Sequence, residues 1–325
     1  MANYLVTGAA GFIASRVSEL LLEEGHSVVG VDNINDAYDV RLKQWRLARL
    51  QVRPGFSFAH QDICDMPALE QLAQTHGAFD AVINLAARAG VRYSVANPWA
   101  YLDANTKGAL NLLELCRRYG IPKFVLASTS SIYGANPPLP TPEDADSSHP
   151  LQPYAASKKG AEAMAYSYHY LHDIDVTVFR YFTVYGPAGR PDMVMFRFAK
   201  WIAEGEDVHL NGDGSQTRGF TYLDDIARGT ILGLKPLGYE VINLGGHQNI
   251  SINELIAVLE RLIGKQARIV RHDQHPADAM ANLAVVDKAR RLLGWDSQVS
   301  LEEGIPHMVE WYLQNREWAC NIELT

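Results

Sequence analysis

The sequence predicts an α/β protein built on a doubly wound parallel sheet, with a smaller C-terminal lobe packed against it. Three observations carry this expectation. Short apolar runs recur with the length and composition of buried parallel strands. Segments whose apolar residues follow helical spacing lie between them. After about Arg180 the rhythm changes, and Tyr181 to Gly219 is rich in Gly, Pro and aromatics.

The predicted strands are Leu5-Val6, Ser27-Val28-Val29-Gly30-Val31, Phe56-Ser57-Phe58, Ala81-Val82-Ile83-Asn84-Leu85, Phe124-Val125-Leu126-Ala127 and Val176-Thr177-Val178-Phe179. Phe12, Ile13, Val17, Leu20 and Leu21 space out one helix, and Ala109, Leu110, Leu112, Leu113 and Cys116 a later one. Glu240-Val241-Ile242-Asn243-Leu244 returns as a strand. Ser251 with Glu254, and Ser300 with Glu303, have the capping-box spacing that opens a helix. Pro306 falls inside the second of these and weakens its first turn. No internal repeat, low-complexity tract or flexible linker separates the lobe from the sheet.

At 325 residues, 47% apolar and 20% charged, the chain has material for one large domain or two unequal ones, and general disorder is excluded. No apolar run approaches the roughly 18 residues of a membrane helix, and Met1-Ala2-Asn3 leads straight into Tyr4-Leu5-Val6 without a signal-peptide pattern. A cytoplasmic protein is expected. Cys64, Cys116 and Cys320 are odd in number and in no C-x-x-C spacing, so buried thiols are expected rather than disulfides. A net charge of -8 argues against a nucleic-acid surface, and the eleven histidines contain no H-x-x-x-H or H-E-x-x-H pair, so no metal is expected.

The first strand runs into Thr7-Gly8-Ala9-Ala10-Gly11-Phe12-Ile13-Ala14-Ser15, a G-x-x-G-x-x-A loop opening a helix. Gly8 and Gly11 let the backbone turn tightly against a pyrophosphate, which then sits at the N-terminus of the helix begun by Phe12 and Ile13. Asp32 ends the second strand about twenty residues on, where a carboxylate holds the adenosine ribose hydroxyls. The same charge repels a 2′-phosphate, so NAD is expected over NADP, although Arg41 and Lys43 follow closely enough to offset it. Asp62-Ile63 either contacts the adenine or caps the end of the third strand.

Tyr154-Ala155-Ala156-Ser157-Lys158 puts a phenol and an ammonium on one helix face. A nearby cation favours the phenolate, which makes Tyr154 a general base toward a hydroxyl. The same spacing also arises as an ordinary surface pair. Here it follows Ser128-Thr129-Ser130-Ser131-Ile132-Tyr133-Gly134, whose hydroxyls fall at the carboxyl edge of the sheet, where such folds bind ligands.

With these residues in place the chain resembles the extended short-chain dehydrogenases/reductases, and among them the nucleotide-sugar 4-epimerases. The resemblance spans nearly the whole length: Thr7 to Phe12, Asp32-Asn33, Leu85-Ala86-Ala87, Asn105, Thr129 to Gly134, Tyr154 to Lys158, Arg180 to Pro187, and Arg218 before Phe220 to Asp225. Asp32 to Val40, Arg46-Leu47-Ala48-Arg49-Leu50, Ala89-Gly90-Val91-Arg92-Tyr93-Ser94 and Gly189-Arg190-Pro191-Asp192-Met193 narrow it to the UDP-glucuronate 4-epimerase subgroup. Four positions depart from the pattern: Ala14 for a third Gly, Arg88 for Gln, Gly219 for Asp, and His275-Pro276-Ala277-Asp278 for a late Arg/Gln-Pro-Gly-Asp block.

The resemblance implies a Rossmann NAD-binding domain over 1–180 plus 219–246 and a UDP-sugar lobe over 181–218 plus 247–325. It implies that Tyr154 takes the 4-hydroxyl proton while hydride passes to NAD, that a 4-keto sugar turns over, and that hydride returns to the other face. Thr129 then bonds the reacting oxygen and Lys158 the nicotinamide ribose; Asn33, Leu85, Ala86, Ala87 and Tyr181 line the cofactor; Arg92, Arg218 and Asp278 bind the UDP-sugar. Arg190, with Ser130, Ser131 and Thr183, grips the uronate carboxylate, or else is a loop arginine in a surface ion pair. A homodimer through Thr106 to Arg118 and Ala155 to His172 is implied too, although Ala161, Met164, Ala165, Tyr168 and Leu171 equally fit a buried core face.

Alternatives on the same scaffold remain. UDP-glucose/galactose 4-epimerisation is the nearest. Nucleotide-sugar 4,6-dehydratases and UDP-glucuronate decarboxylases place an acid just after the catalytic threonine, where this chain has Ser130 and Ser131, hydroxyls too weak for that work. A non-catalytic NAD-binding sensor has no use for Tyr154, Lys158 and Thr129 together.

Overall fold

A computed structural model describes residues 1–246, 248–273 and 282–324. The strands in chain order are β1 (Asn3–Thr7), β2 (Ser27–Asp32), β3 (Phe56–His60), β4 (Ala81–Asn84), β5 (Lys123–Thr129), β6 (Asp175–Tyr181), β7 (Thr183–Tyr185), β8 (Asp207–Asn211), β9 (Thr217–Tyr222), β10 (Tyr239–Leu244), β11 (Asn249–Ser251) and β12 (Arg268–His272). Seven of them form one parallel sheet in the order β10-β6-β5-β4-β1-β2-β3. Helices cover both faces, which is why β4 and β5 read as unbroken apolar runs and are buried throughout. Val17, Leu21, Ile226, Ala227 and Trp295 fill one side. Leu112, Leu113, Ala161 and Ala165 fill the other.

Strand order reverses at β1, which pairs with β2 on one side and β4 on the other. The crevice outside the carboxyl ends of these strands is where such sheets bind ligands. Thr7 Oγ donates to Asn84 Oδ1 across it at 2.8 Å and accepts the Ala86 amide at 3.2 Å, so the ends of β1 and β4 are tied together just below the crevice.

The lobe is a second core, built from the three-stranded sheet β11-β9-β7, the pair β12-β8 and the helices Val194–Glu204, Ile252–Ile263 and Leu301–Gln314. Tyr185, Phe198, Trp201, Phe220, Leu255, Ile256, Met308 and Val309 meet there. Its junctions differ from the boundaries expected at 219 and 247. β9 pairs with β7 and β11, so the chain rejoins the large sheet's layer only at the helix Leu223–Leu232. Ala284, Val286, Ala289, Leu293 and Trp295 likewise belong to the large sheet's core. Strand partners decide these junctions, and local rhythm does not reveal partners.

Both capping boxes form, Ser251 with Glu254 and Ser300 with Glu303. The helix Leu301–Gln314 continues through Pro306 instead of weakening. Pro306 only deprives the Glu302 carbonyl of its N–H partner, and Glu302 lies exposed to water. All three cysteines are free; only Cys116 is buried, whereas Cys64 and Cys320 are partly exposed. No helix among the described residues is long and apolar enough to cross a membrane.

Candidate active site

The loop after β1 has the shape of a phosphate cradle. Gly8 lies in the left-handed region at φ +71°, and a Cβ there would stand 2.8 Å from the Ala86 nitrogen. A Cβ on Gly11 would stand 2.7 Å from the Gly8 carbonyl. No side chain caps the helix Phe12–Glu23, so its first amides face the cradle with the helix dipole behind them. Ala14, which stands for the third glycine, is buried in the sheet's core. Asp32 accepts the Ala10 amide at 3.1 Å and the Ile34 amide at 2.8 Å, which fixes its carboxylate beside the loop. These residues fit a dinucleotide.

Neither neighbouring cation reaches the ribose position freely. Arg41 forks onto Asp39 and donates to the Asn321 carbonyl. Lys43 donates to the Asn35 backbone and side-chain oxygens at 2.8 and 2.9 Å. Asn33 donates to Asp62 at 2.7 Å, and Asp62 also accepts the Cys64 amide, so Asp62 does cap the strand end. Burial pushes the Asp62 carboxyl up, but these bonds hold it below its ordinary value. Ile63 is buried against Gly108.

Tyr154 is the second residue of the 20-residue helix Pro153–His172, whose positive end favours a phenolate. Lys158, one turn on, is buried and donates to the Ala127 carbonyl of β5 at 2.8 Å. Thr129 ends β5 and caps the turn Ser130–Tyr133 through the Ser131 amide at 3.1 Å. Tyr154, Lys158 and Thr129 therefore converge at one strand end, with Ser130 and Ser131 partly exposed beside them.

Burial raises Tyr154 above its ordinary value, while the Thr129 hydroxyl and the Arg190 charge pull it down. Burial lowers Lys158 to about 8, against the opposing pull of Glu162.

On the sugar side, Arg190 forks onto Asp192 at 3.0 and 2.5 Å. It is thus an ion-paired loop arginine, and also one whose field reaches Tyr154. Arg92 is exposed on the helix Val91–Ala96, and Thr183 is partly exposed in β7. Burial and then the charge of Arg92 depress Arg197, whose buried Nε has no hydrogen-bond partner. Arg218 lies in β9 opposite Ile250. The adjacent Gly219 has no room for an aspartate, since a Cβ would meet the Asn282 carbonyl at 2.8 Å. Asp278 and His275-Pro276-Ala277 lie outside the described residues.

Leu85, Ala86 and Ala87 follow β4 at the crevice, partly or fully exposed. Tyr181 departs from its expected place: its side chain is buried, and its hydroxyl pairs with Thr230 at 2.7 Å beneath the sheet. Three residues went unpredicted. Tyr101 lies edge-on to Tyr154 at 6.0 Å, Asp192 pairs Arg190, and Arg46 is buried between two loops. Arg46 carries a readable signal, because it shares a helical stripe with Leu42 and Leu50.

Comparison with known proteins agrees with this geometry. The NAD dependent epimerase/dehydratase family matches residues 4–245. UDP-glucuronate 4-epimerase of Thermodesulfobacterium geofontis is 55% identical over 325 residues, 100% of each chain. The crystal structure of UDP-glucuronic acid 4-epimerase from Bacillus cereus, in complex with UDP-glucuronic acid and NAD, has a TM-score of 0.90 at 36% identity, covering 96% of this chain and 99% of that one. UDP-glucose 4-epimerase from Thermotoga maritima, with UDP-glucose, has a TM-score of 0.88 at 33% identity, covering 97% and 99%.

The buried lysine makes a stability prediction. Its folded value of about 8 lies below the ordinary 10.5. At pH 7 both states carry the charge, and burying it costs about 3 kcal/mol at roughly 1.4 kcal/mol per unit. Between about 8 and 10.5 the unfolded chain binds more protons, so stability rises with pH there. Urea unfolding of dinucleotide-free protein should show Lys158→Met gaining on wild type at pH 7 and losing that gain, by about 3 kcal/mol, as pH rises through this window. A pH-independent difference would contradict the assignment.

Proposed function

The chain belongs to the NAD dependent epimerase/dehydratase family, and from that premise we propose that it interconverts UDP-glucuronate and UDP-galacturonate by inverting carbon 4. The observation that carries this reading is the convergence of Tyr154, Thr129 and Arg190 at the strand ends beside the dinucleotide cradle. Relatives with that named activity support it.

Bound NAD supplies a reversible acceptor for the hydride of carbon 4. Tyr154 removes the proton of the 4-hydroxyl, with Thr129 bonding the same oxygen, and a 4-keto sugar results. After the sugar has turned over, hydride returns to its opposite face and Tyr154 returns the proton. Lys158, held by Ala127, keeps the tyrosine's helix face against β5. Gly8, Gly11 and Asp32 hold the dinucleotide; Arg92 and Arg218 bind the diphosphate side.

Oxidation at carbon 4 makes the uronate a β-keto acid, which loses carbon dioxide when the breaking bond aligns with the carbonyl. Arg190 holds the carboxylate out of alignment as a planar fork, with Ser130, Ser131 and Thr183 completing the grip. Asp192 presets that fork.

A homodimer completes the reading. Tyr93, Val95, Trp99 and Leu102 stay exposed on short helices packed beside Pro153–His172, which exposes Met164, Tyr170 and Leu171. Ala161 and Ala165 face the core instead. Large exposed apolar side chains on these packed helices support an interface there.

NMR of UDP-glucuronate incubated with the enzyme should show UDP-galacturonate; no conversion would overturn the proposal. Tyr154→Phe should cut kcat by ~10²–10⁴-fold with sugar and dinucleotide affinities nearly intact; a loss under tenfold would remove the base. Arg190→Ala should lower kcat/KM for UDP-glucuronate roughly ten- to a hundred-fold and release carbon dioxide with a UDP-4-keto-pentose. Equal losses on acid and neutral sugars, without that product, would favour UDP-glucose instead. Trp99→Glu with Leu171→Glu should halve the mass measured by light scattering, whereas a monomeric wild type would exclude the dimer.

A further inference from the structure

Arg46 is only 3% exposed, on the helix Val40–Gln51, and its donors point at three loops, those of Ala10, Tyr38 and Ala188. Its Nε and Nη2 both donate to the Ala188 carbonyl, at 3.1 and 2.5 Å, and Nη2 also to the Gly189 carbonyl at 3.4 Å. Nη1 donates to the Ala10 carbonyl at 3.2 Å and to the Tyr38 hydroxyl at 2.8 Å. None of these acceptors is a carboxylate. A buried cation held only by neutral acceptors carries a large desolvation cost, and an apolar side chain would join the same elements without it. The cost points to something only a fork of donors achieves.

That something is the backbone before Arg190. Ala188 sits at φ +52°, a left-handed conformation that is strained for a non-glycine residue and persists only where its surroundings hold it. Arg46 grips the carbonyls of Ala188 and Gly189, the two residues immediately ahead of Arg190. Its other arm grips Ala10, between Gly8 and Gly11, whose amide is itself bonded to Asp32. Phe12 and Tyr38 flank the guanidinium at 5.8 and 5.6 Å from its carbon to their ring centres.

We propose that Arg46 is a positioning residue, which locks the loop carrying Arg190 to the dinucleotide loop and so keeps the carboxylate clamp in register with the hydride acceptor. This rests on the reading of Arg190 as that clamp. A lysine retains the charge but not a planar fork with donors in fixed directions, so Arg46→Lys separates geometry from charge.

The test incubates holoenzyme variants with UDP-glucuronate and measures two things: the ratio of UDP-4-keto-pentose to UDP-galacturonate by mass spectrometry, and reduced nicotinamide left on the enzyme by absorbance. Pentose lost before hydride return leaves the nicotinamide reduced, so the two readouts rise together. Arg190→Ala is run in parallel. Arg46→Lys should raise the pentose ratio at least roughly tenfold, and Tyr38→Phe, which removes one bond of five, about threefold. A purely structural role would slow turnover without moving the ratio.

If Arg190→Ala releases pentose and Arg46→Lys keeps the wild-type ratio, the positioning role is overturned while the clamp stands. If neither variant releases it, the clamp reading fails and the proposal with it. Release from Arg46→Lys alone also overturns the proposal, because Arg46 would then not act through Arg190. Should circular dichroism show Arg46→Lys unfolded, Tyr38→Phe decides, and an unchanged ratio overturns the inference.

Discussion

The bond from the Lys158 ammonium to the Ala127 carbonyl ties the helix that carries Tyr154 to the strand that ends in Thr129. Everything chemical in the molecule depends on that registration. A phenol on a helix and a hydroxyl on a strand meet one substrate oxygen only if the two elements cannot slide. Making the bond inside the protein has an electrostatic consequence: the burial that sharpens the geometry also disfavours charge on both partners. It raises Tyr154 and lowers Lys158. The groups that work against this on Tyr154 are Thr129 and Arg190, both on the sugar side. On the proposed reading, the base is tuned by the residues that would meet the substrate.

Behind the site lies a buried polar network that keeps these charges tolerable. Glu162, one turn beyond Lys158, receives the Arg180 fork at 3.1 and 2.9 Å and the Ser128 hydroxyl at 2.5 Å. Arg180 also donates to the Tyr133 hydroxyl, which in turn donates to Asn243 at the far edge of the sheet. A fully paired network of this kind rigidifies the strand ends. Arg46 follows a different logic, with its charge facing backbone carbonyls, and it couples two loops instead of two strands.

Features set by nearest neighbours in the chain were legible. The six apolar runs became strands, the glycine loop fell at the first turn from strand to helix, Asp32 ended β2, and both capping boxes closed. Tyr154 and Lys158 share a face because helix geometry requires it. What eluded the sequence depends on partners distant along the chain. β9 belongs to the lobe because β7 and β11 flank it. The Tyr181 hydroxyl turns to Thr230, 49 residues away. The sequence places Lys158 near Tyr154 but not the Ala127 carbonyl that claims its ammonium. Arg46 reads as one more charge on an amphipathic helix until Ala188, 142 residues on, comes to rest against it.

The central claim is that inversion proceeds by oxidation and re-reduction of one sugar at carbon 4, with the hydride kept inside the site. The most direct measurement is mass spectrometry of a competition between UDP-glucuronate deuterated at carbon 4 and unlabelled UDP-glucuronate. The account predicts that the unlabelled sugar is consumed faster, and that every deuterated substrate molecule gives UDP-galacturonate still deuterated at carbon 4. Equal consumption of the two sugars, label lost to water, or label passed to the unlabelled sugar would contradict it.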